Sequence, residues 1–297
     1  MPKIKKTFLK VFAVVIVIMI AWFVIGHYNN ELKIKNYNTR FYNIISKPFV
    51  AKGKSINKLS ENLSLKYNNE SIPVLNYHSI GPAKLNPWVV STNRLNMDMK
   101  YLKENGFKSL STDEFYDFMV KNKPVPKKSV LITFDDGYED NYTNAFPILK
   151  KYNFKATIFV ITDFVDKGKQ FLTSAQLKEM HRNGIDIESH TNLHEKLGTC
   201  TYATQLKTLK ISKEYIEKTL HKSVRYLAYP QGNYNLYTLK ALNAAGYKMA
   251  FTTNGRWANK SNGILTLNRI FISAFHHNNS FKTRVNHSWY LFKYFYL

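Results

Sequence analysis

Between residues 72 and 272, apolar β-branched runs alternate with helical patterns about seven times, which constrains the fold more than any single residue. Residues 72–77, 129–134, 156–161, 185–188, 225–229, 247–253 and 267–272 read as strands. Helical periodicity covers 95–104, 112–120, 141–152, 173–183, 202–220 and 236–245, with Ser111 or Thr112 as an N-cap and Gly246 as a C-cap. Such alternation predicts parallel βαβ units in an α/β fold. A doubly wound open sheet competes with a barrel, but no Gly-rich phosphate loop follows any of these strands.

The polar residues stand just past the strands' C-terminal ends. His78 follows the first, Asp135 and Asp136 close the second before Gly137, His190 and His194 follow the fourth, and Pro230-Gln231-Gly232 follow the fifth. In a parallel α/β barrel those ends meet on one rim. An isolated Asp-Asp-Gly is ordinarily a solvated turn. Here a glycine kink can bring both carboxylates to one mouth, where two like charges require a cation or a shifted pKa.

His190 and His194 have the i, i+4 spacing that sets two imidazoles on one side of a helical turn. Thr191 occupies the place of a metalloprotease glutamate, which argues against a peptidase. With one carboxylate the pair makes a two-His, one-Asp set with open positions; Zn is the default, and Co, Ni, Mn or Fe also suit it. Such a metal activates water and polarises a carbonyl, while a second carboxylate takes a proton and a histidine returns one. The reaction class is metal-assisted hydrolysis of an amide or ester.

Lysine and arginine outnumber the acids by 43 to 20, a net charge of +23. The basic residues are scattered rather than striped, so they read as solvated faces, compatible with anionic cell-wall polymers as neighbours and not with nucleic acid. Cys200 is the single cysteine, so no disulfide framework forms. Lys3, Lys5, Lys6 and Lys10 precede an uncharged apolar run over 11–26. This predicts a transmembrane signal anchor over 1–27 with the remainder outside, or a cleaved signal peptide and a secreted, wall-associated protein. Residues 28–70 read as a polar stalk and 71–297 as the catalytic domain. The aromatic tail 289–297 reads as a last helix packing over the barrel.

TFDDG (133–137), SHTNLH (189–194) and AYPQG (228–232), in this order, resemble the motifs of the polysaccharide deacetylases of carbohydrate esterase family 4, over roughly residues 72–275. The resemblance implies an incomplete (β/α)7 barrel that removes N-acetyl groups from extracellular sugars. It implies Asp135 as catalytic base, with Asp136, His190 and His194 as metal ligands. It also implies that the third motif, Tyr229 and Pro230 included, holds the oxyanion, through the Tyr229 backbone N–H. Many members place an arginine where Ala228 stands to steer the base; Arg269 and Arg225 are the candidate replacements. A late Leu-x-His motif is missing, with His276 and His277 nearest its place. VLNYHSIG (74–81) resembles the subgroup acting on poly-β-1,6-N-acetylglucosamine, where the acid histidine comes from the first strand, and so points to His78. The expected activity is metal-dependent N-deacetylation of that polymer. Peptidoglycan deacetylation is the nearest alternative; a non-catalytic glycan-binding module is the other, and the presence of the base and all three ligands argues against it.

Overall fold

The apolar runs form strands that are buried along nearly their whole length, as parallel strands covered on both faces must be. A computed structural model describes residues 2–50, 64–82, 85–276 and 278–288. The strands are β1 (Val74–Tyr77), β2 (Ser129–Asp136), β3 (Ala156–Val160), β4 (Ile185–Ser189), β5 (Tyr226–Ala228), β6 (Met249–Phe251) and β7 (Ile270–Phe271). They lie in the order β6-β5-β4-β3-β2-β1-β7, and every neighbouring pair is parallel. The chain entering β7 also touches β6, through Leu267 N–H to the Ala250 carbonyl (3.0 Å) and Thr252 N–H to the Leu267 carbonyl (2.8 Å). The sheet is therefore curled, as the barrel reading expects, and all its C-terminal ends open on one side.

Helices α2 (Thr92–Glu104), α3 (Thr112–Lys121), α4 (Phe146–Tyr152), α5 (Ser174–Arg182), α6 (Tyr202–Leu220) and α7 (Leu236–Ala244) fill the crossovers; α8 (Asn278–Asn286) follows β7. Ser111 and Thr173 close capping boxes with Glu114 and Gln176, so α3 and α5 begin where the sequence signals them. The helix expected over 141–152 is divided. Pro147 supplies no N–H to the ladder, and the preceding Asn141–Ala145 widens to π spacing, with Phe146 N–H on the Asn141 carbonyl.

The polar-stalk expectation needs correction. Helix α1 spans Pro2–Val50, and its later part packs on the domain. Phe41 and Ser46 are buried, and buried Asn38 donates to Thr266 Oγ1 (3.0 Å) and accepts from Leu265 N–H (3.0 Å). Gly263 (φ 85°) is required there, because a Cβ would lie 2.5 Å from Asn38 Cγ. Leu65–Lys66 pairs antiparallel with Val125–Pro126, so residues before 71 belong to the folded unit. Among the described residues no helix is long and apolar enough to cross a membrane. The run 11–26 lies in α1, but the side chains of residues 2–15 and 18 fall outside the description, as do residues 51–63 and the tail 289–297.

Candidate active site

Asp135 ends the buried part of β2, and its carboxylate meets Arg269, just ahead of β7. Arg269 Nη1 donates to Asp135 Oδ1 (2.7 Å) and Nη2 to Oδ2 (2.6 Å), while Nε donates to the Thr252 carbonyl (3.0 Å). Nη1 also reaches Thr133 Oγ1 (3.2 Å), and Asn76 Nδ2 on β1 donates to Asp135 Oδ2 (3.2 Å). Arg269 is 0% and Asp135 2% exposed. Burial works against the Asp135 charge, but the Arg269 guanidinium outweighs it and holds the carboxyl well below the usual carboxylate range. Arg269 thus sits on the base, with no exposed surface of its own. Arg225, the other candidate, binds Asp113 at the surface instead.

Asp136 turns the other way. It takes φ 73° and Gly137 follows at φ 74°, where a Cβ would lie 3.0 Å from Val160 Cγ1. This left-handed pair swings the Asp136 carboxylate out of the strand register. Its Oδ1 lies 3.4 Å from both His190 Nε2 and His194 Nε2. That is too long for a charge-assisted hydrogen bond, and Oδ1 is buried without a hydrogen-bond partner among the described residues. The three ligand atoms lie within 4.8 Å of one another. His190 Nδ1 is 2.8 Å from the Ala228 carbonyl, which fixes the N–H there and leaves Nε2 as a lone pair towards Asp136. An orphaned carboxylate oxygen facing two imidazole nitrogens fits a divalent cation of zinc's kind.

The two histidines do not share a helical turn, contrary to the spacing argument. His190 N–H continues the sheet onto the Val160 carbonyl, then Thr191 (φ 66°) and His194 (φ 61°) adopt left-handed conformations. Backbone bonds from Thr162 and Asp163 to the carbonyls of Thr191 and Asn192 stabilise this loop. A looped path brings the rings to 5.0 Å between centroids just as a helical turn would.

His78 follows β1, packed edge-on against Phe271 at 5.7 Å. Its backbone carbonyl accepts from Asn141 Nδ2 (2.8 Å), and its buried Nδ1 has no partner among the described residues. Burial pushes its pKa down, although Asp135 and Asp136 pull the other way. His276 is placed differently. Its Nδ1 accepts from Ser273 N–H (3.1 Å), its Nε2 lies 3.0 Å from Arg284 Nη2, and burial with Arg284 and Arg94 pushes its pKa to about 4. His277 lies outside the described residues.

The third motif requires a correction. The Tyr229 N–H is committed to the Phe251 carbonyl (3.0 Å), one residue past the β5–β6 ladder, and cannot also hold an oxyanion. Pro230 is buried and starts a short turn in which exposed Gln231 takes φ 56°; among the described residues the Gln231 N–H has no partner. Gly232 allows the turn to approach the next loop, since a Cβ would lie 2.2 Å from Thr253 Oγ1. Sequence reasoning also missed Asn76 and Asn141. Asn76 had a signal, a lone amide within an apolar strand run; Asn141 had none.

The polysaccharide deacetylase family model matches residues 122–250. A Bacillus subtilis protein, YxkH, assigned to the polysaccharide deacetylases, is 40% identical over 202 residues, covering 68% of this chain and 71% of that protein. The poly-beta-1,6-N-acetyl-D-glucosamine N-deacetylase of Staphylococcus aureus (strain MSSA476) is 35% identical over 242 residues, covering 72% and 83%. The structure of the Streptococcus pyogenes deacetylase PplD in complex with acetate superposes with a TM-score of 0.70 at 35% identity, covering 73% of this chain and 99% of that one. The chain belongs to the polysaccharide deacetylase family, and the sheet and rim described above are that family's scaffold for hydrolysing an amide bond.

Proposed function

We propose that the protein is an exported deacetylase of an N-acetylglucosamine polymer, dependent on a divalent metal, with the β-1,6-linked polymer as its substrate. The observation that carries the reaction is the different company of two consecutive carboxylates: Asp135 clasped by Arg269, and Asp136 facing two Nε2 atoms with an orphaned oxygen. The linkage rests on the name of the Staphylococcus aureus relative and on a histidine at the end of β1.

Asp136, His190 and His194 would hold the metal, with Zn the expected ion. Bound there, it supplies a Lewis acid for the acetamide carbonyl and lowers the pKa of water. Asp135, kept ionised by Arg269, accepts a proton from the attacking water. The Gln231 N–H is the donor available to the oxyanion on the 230–232 turn. His78 returns a proton to the departing nitrogen, so acetate and a free amine result.

Export and anchoring rest on α1. Val17, Ile20, Trp22, Phe23, Val24 and Ile25 are exposed around the helix, and a helix apolar on all sides needs an apolar surrounding. With the basic residues ahead of it, this supports a membrane anchor carrying the domain outside. The function is tested by acetate release from β-1,6-linked N-acetylglucosamine oligomers and from peptidoglycan. Release from the oligomers supports the proposal, and release from peptidoglycan alone transfers the substrate to the wall.

A further inference from the structure

One pocket beside this site has no part in the chemistry above. It encloses about 310 Å3 and is lined by residues including Ser79, Trp88, Tyr138, Glu139, Lys169 and Gln170. Trp88 is 51% exposed, although its ring lies only 6.0 Å from Phe271, the ring that carries His78. Tyr138 is stacked on Phe171 at 5.5 Å and 17°. The pocket therefore begins one side chain away from His78, and its lining residue Tyr138 follows Asp136 by two positions. Its aromatic faces are fixed from behind, and its rim offers both donors and acceptors. The Glu139 carboxylate is shared between Gln176 (3.1 Å) and Thr143 (3.2 Å), so the pocket is not simply a cation trap.

A rigid, half-exposed indole with a mixed polar rim matches a neutral pyranose, whose C–H face stacks while its hydroxyls bond at the edge. The volume is at the lower end of about 300–1,000 Å3 for ligand pockets, which suits one ring rather than a chain. We propose that this pocket is a subsite for the sugar unit next to the one being deacetylated, with Trp88 as its stacking platform. The assignment rests on the deacetylase reading for its substrate, and it predicts that the enzyme works better on oligomers than on small acetyl compounds.

The test compares Trp88→Ala and Trp88→Phe with the unaltered full chain on a β-1,6-linked N-acetylglucosamine pentamer and on 4-nitrophenyl acetate, which places no sugar in the pocket. For Trp88→Ala the ratio of pentamer to small-ester kcat/KM falls about two- to tenfold, mainly through KM, and Trp88→Phe restores part of it. An unchanged ratio overturns the subsite, as does an equal loss on both substrates. If the unaltered protein hydrolyses neither, the deacetylase reading has failed, and binding decides the pocket separately. Calorimetric titration of the chelator-treated proteins with the pentamer then shows weaker binding for Trp88→Ala if the subsite exists, and equal binding if it does not.

Discussion

The Arg269 guanidinium closes on the Asp135 carboxylate with both terminal nitrogens, at 2.7 and 2.6 Å, across 134 positions of sequence. The pair ties the entry to β7 to the exit of β2 beneath the rim. Because Arg is always charged and its fork matches a carboxylate, Asp135 stays ionised and fixed in orientation. Among the described residues its neighbour Asp136 has no such partner, which is why two adjacent like charges can serve different purposes.

Removing Arg269 leaves a buried carboxylate without its counter-charge. Arg269→Ala is expected to lower stability by about 3–5 kcal/mol in urea unfolding and to abolish acetate release. Arg269→Lys recovers some stability but not the bidentate geometry, so its activity stays low. A fully active lysine variant would remove the orienting role.

His78→Ala is expected to cut turnover by roughly 10²–10⁴-fold with the fold intact. His276→Ala leaves turnover within about twofold, because that ring is held between Ser273 and Arg284. The reverse pattern in acetate-release rates would move the acid role to His276.

Docking of α1 is tested at Asn38. Asn38→Ala leaves the Leu265 N–H without its acceptor, while the Thr266 hydroxyl keeps its bond to the Asn262 carbonyl, at an expected cost of about 1–3 kcal/mol by chemical unfolding. No change in the midpoint would mean that the helix does not contribute to the domain.

Buried Asp98 accepts from Tyr77 Oη (2.9 Å) and Arg94 Nε (2.8 Å), beneath the strand that carries His78. Burial outweighs both partners and pushes its pKa up to about 6. A carboxyl raised in the folded state contributes stability that is full below its ordinary value and lost as pH rises through about 6. Relative to Asp98→Asn, the unaltered protein should therefore lose on the order of 2–3 kcal/mol between about pH 4 and pH 7. Parallel stability curves for the two proteins over that range would contradict this.

The strands and the rim were legible because parallel strands covered on both faces must be continuously apolar, and the polar residues interrupt them at one end. Asp135, Asp136, His190, His194 and His78 could be located on that ground alone. Arg269 could only be narrowed to one of two arginines, since its partner lies in another strand and no local pattern marks a pair so distant. The His190–His194 spacing fits both a helical turn and a left-handed loop, so it located the residues but not their backbone. Tyr229 was misread because ladder bonding past a strand's nominal end depends on its neighbour, here Phe251. Asn38 and Gly263 look like ordinary polar-segment residues until the fold brings them together.

The central claim is the division of labour between Asp135 and Asp136, and paired measurement of bound metal and acetate release tests it most directly. Asp136→Asn is expected to lose both. Asp135→Asn is expected to keep the metal content of the unaltered protein while acetate release from the β-1,6 oligomer falls by about 10²–10⁴-fold. Unimpaired release by Asp135→Asn, or full metal retention by Asp136→Asn, would contradict the account.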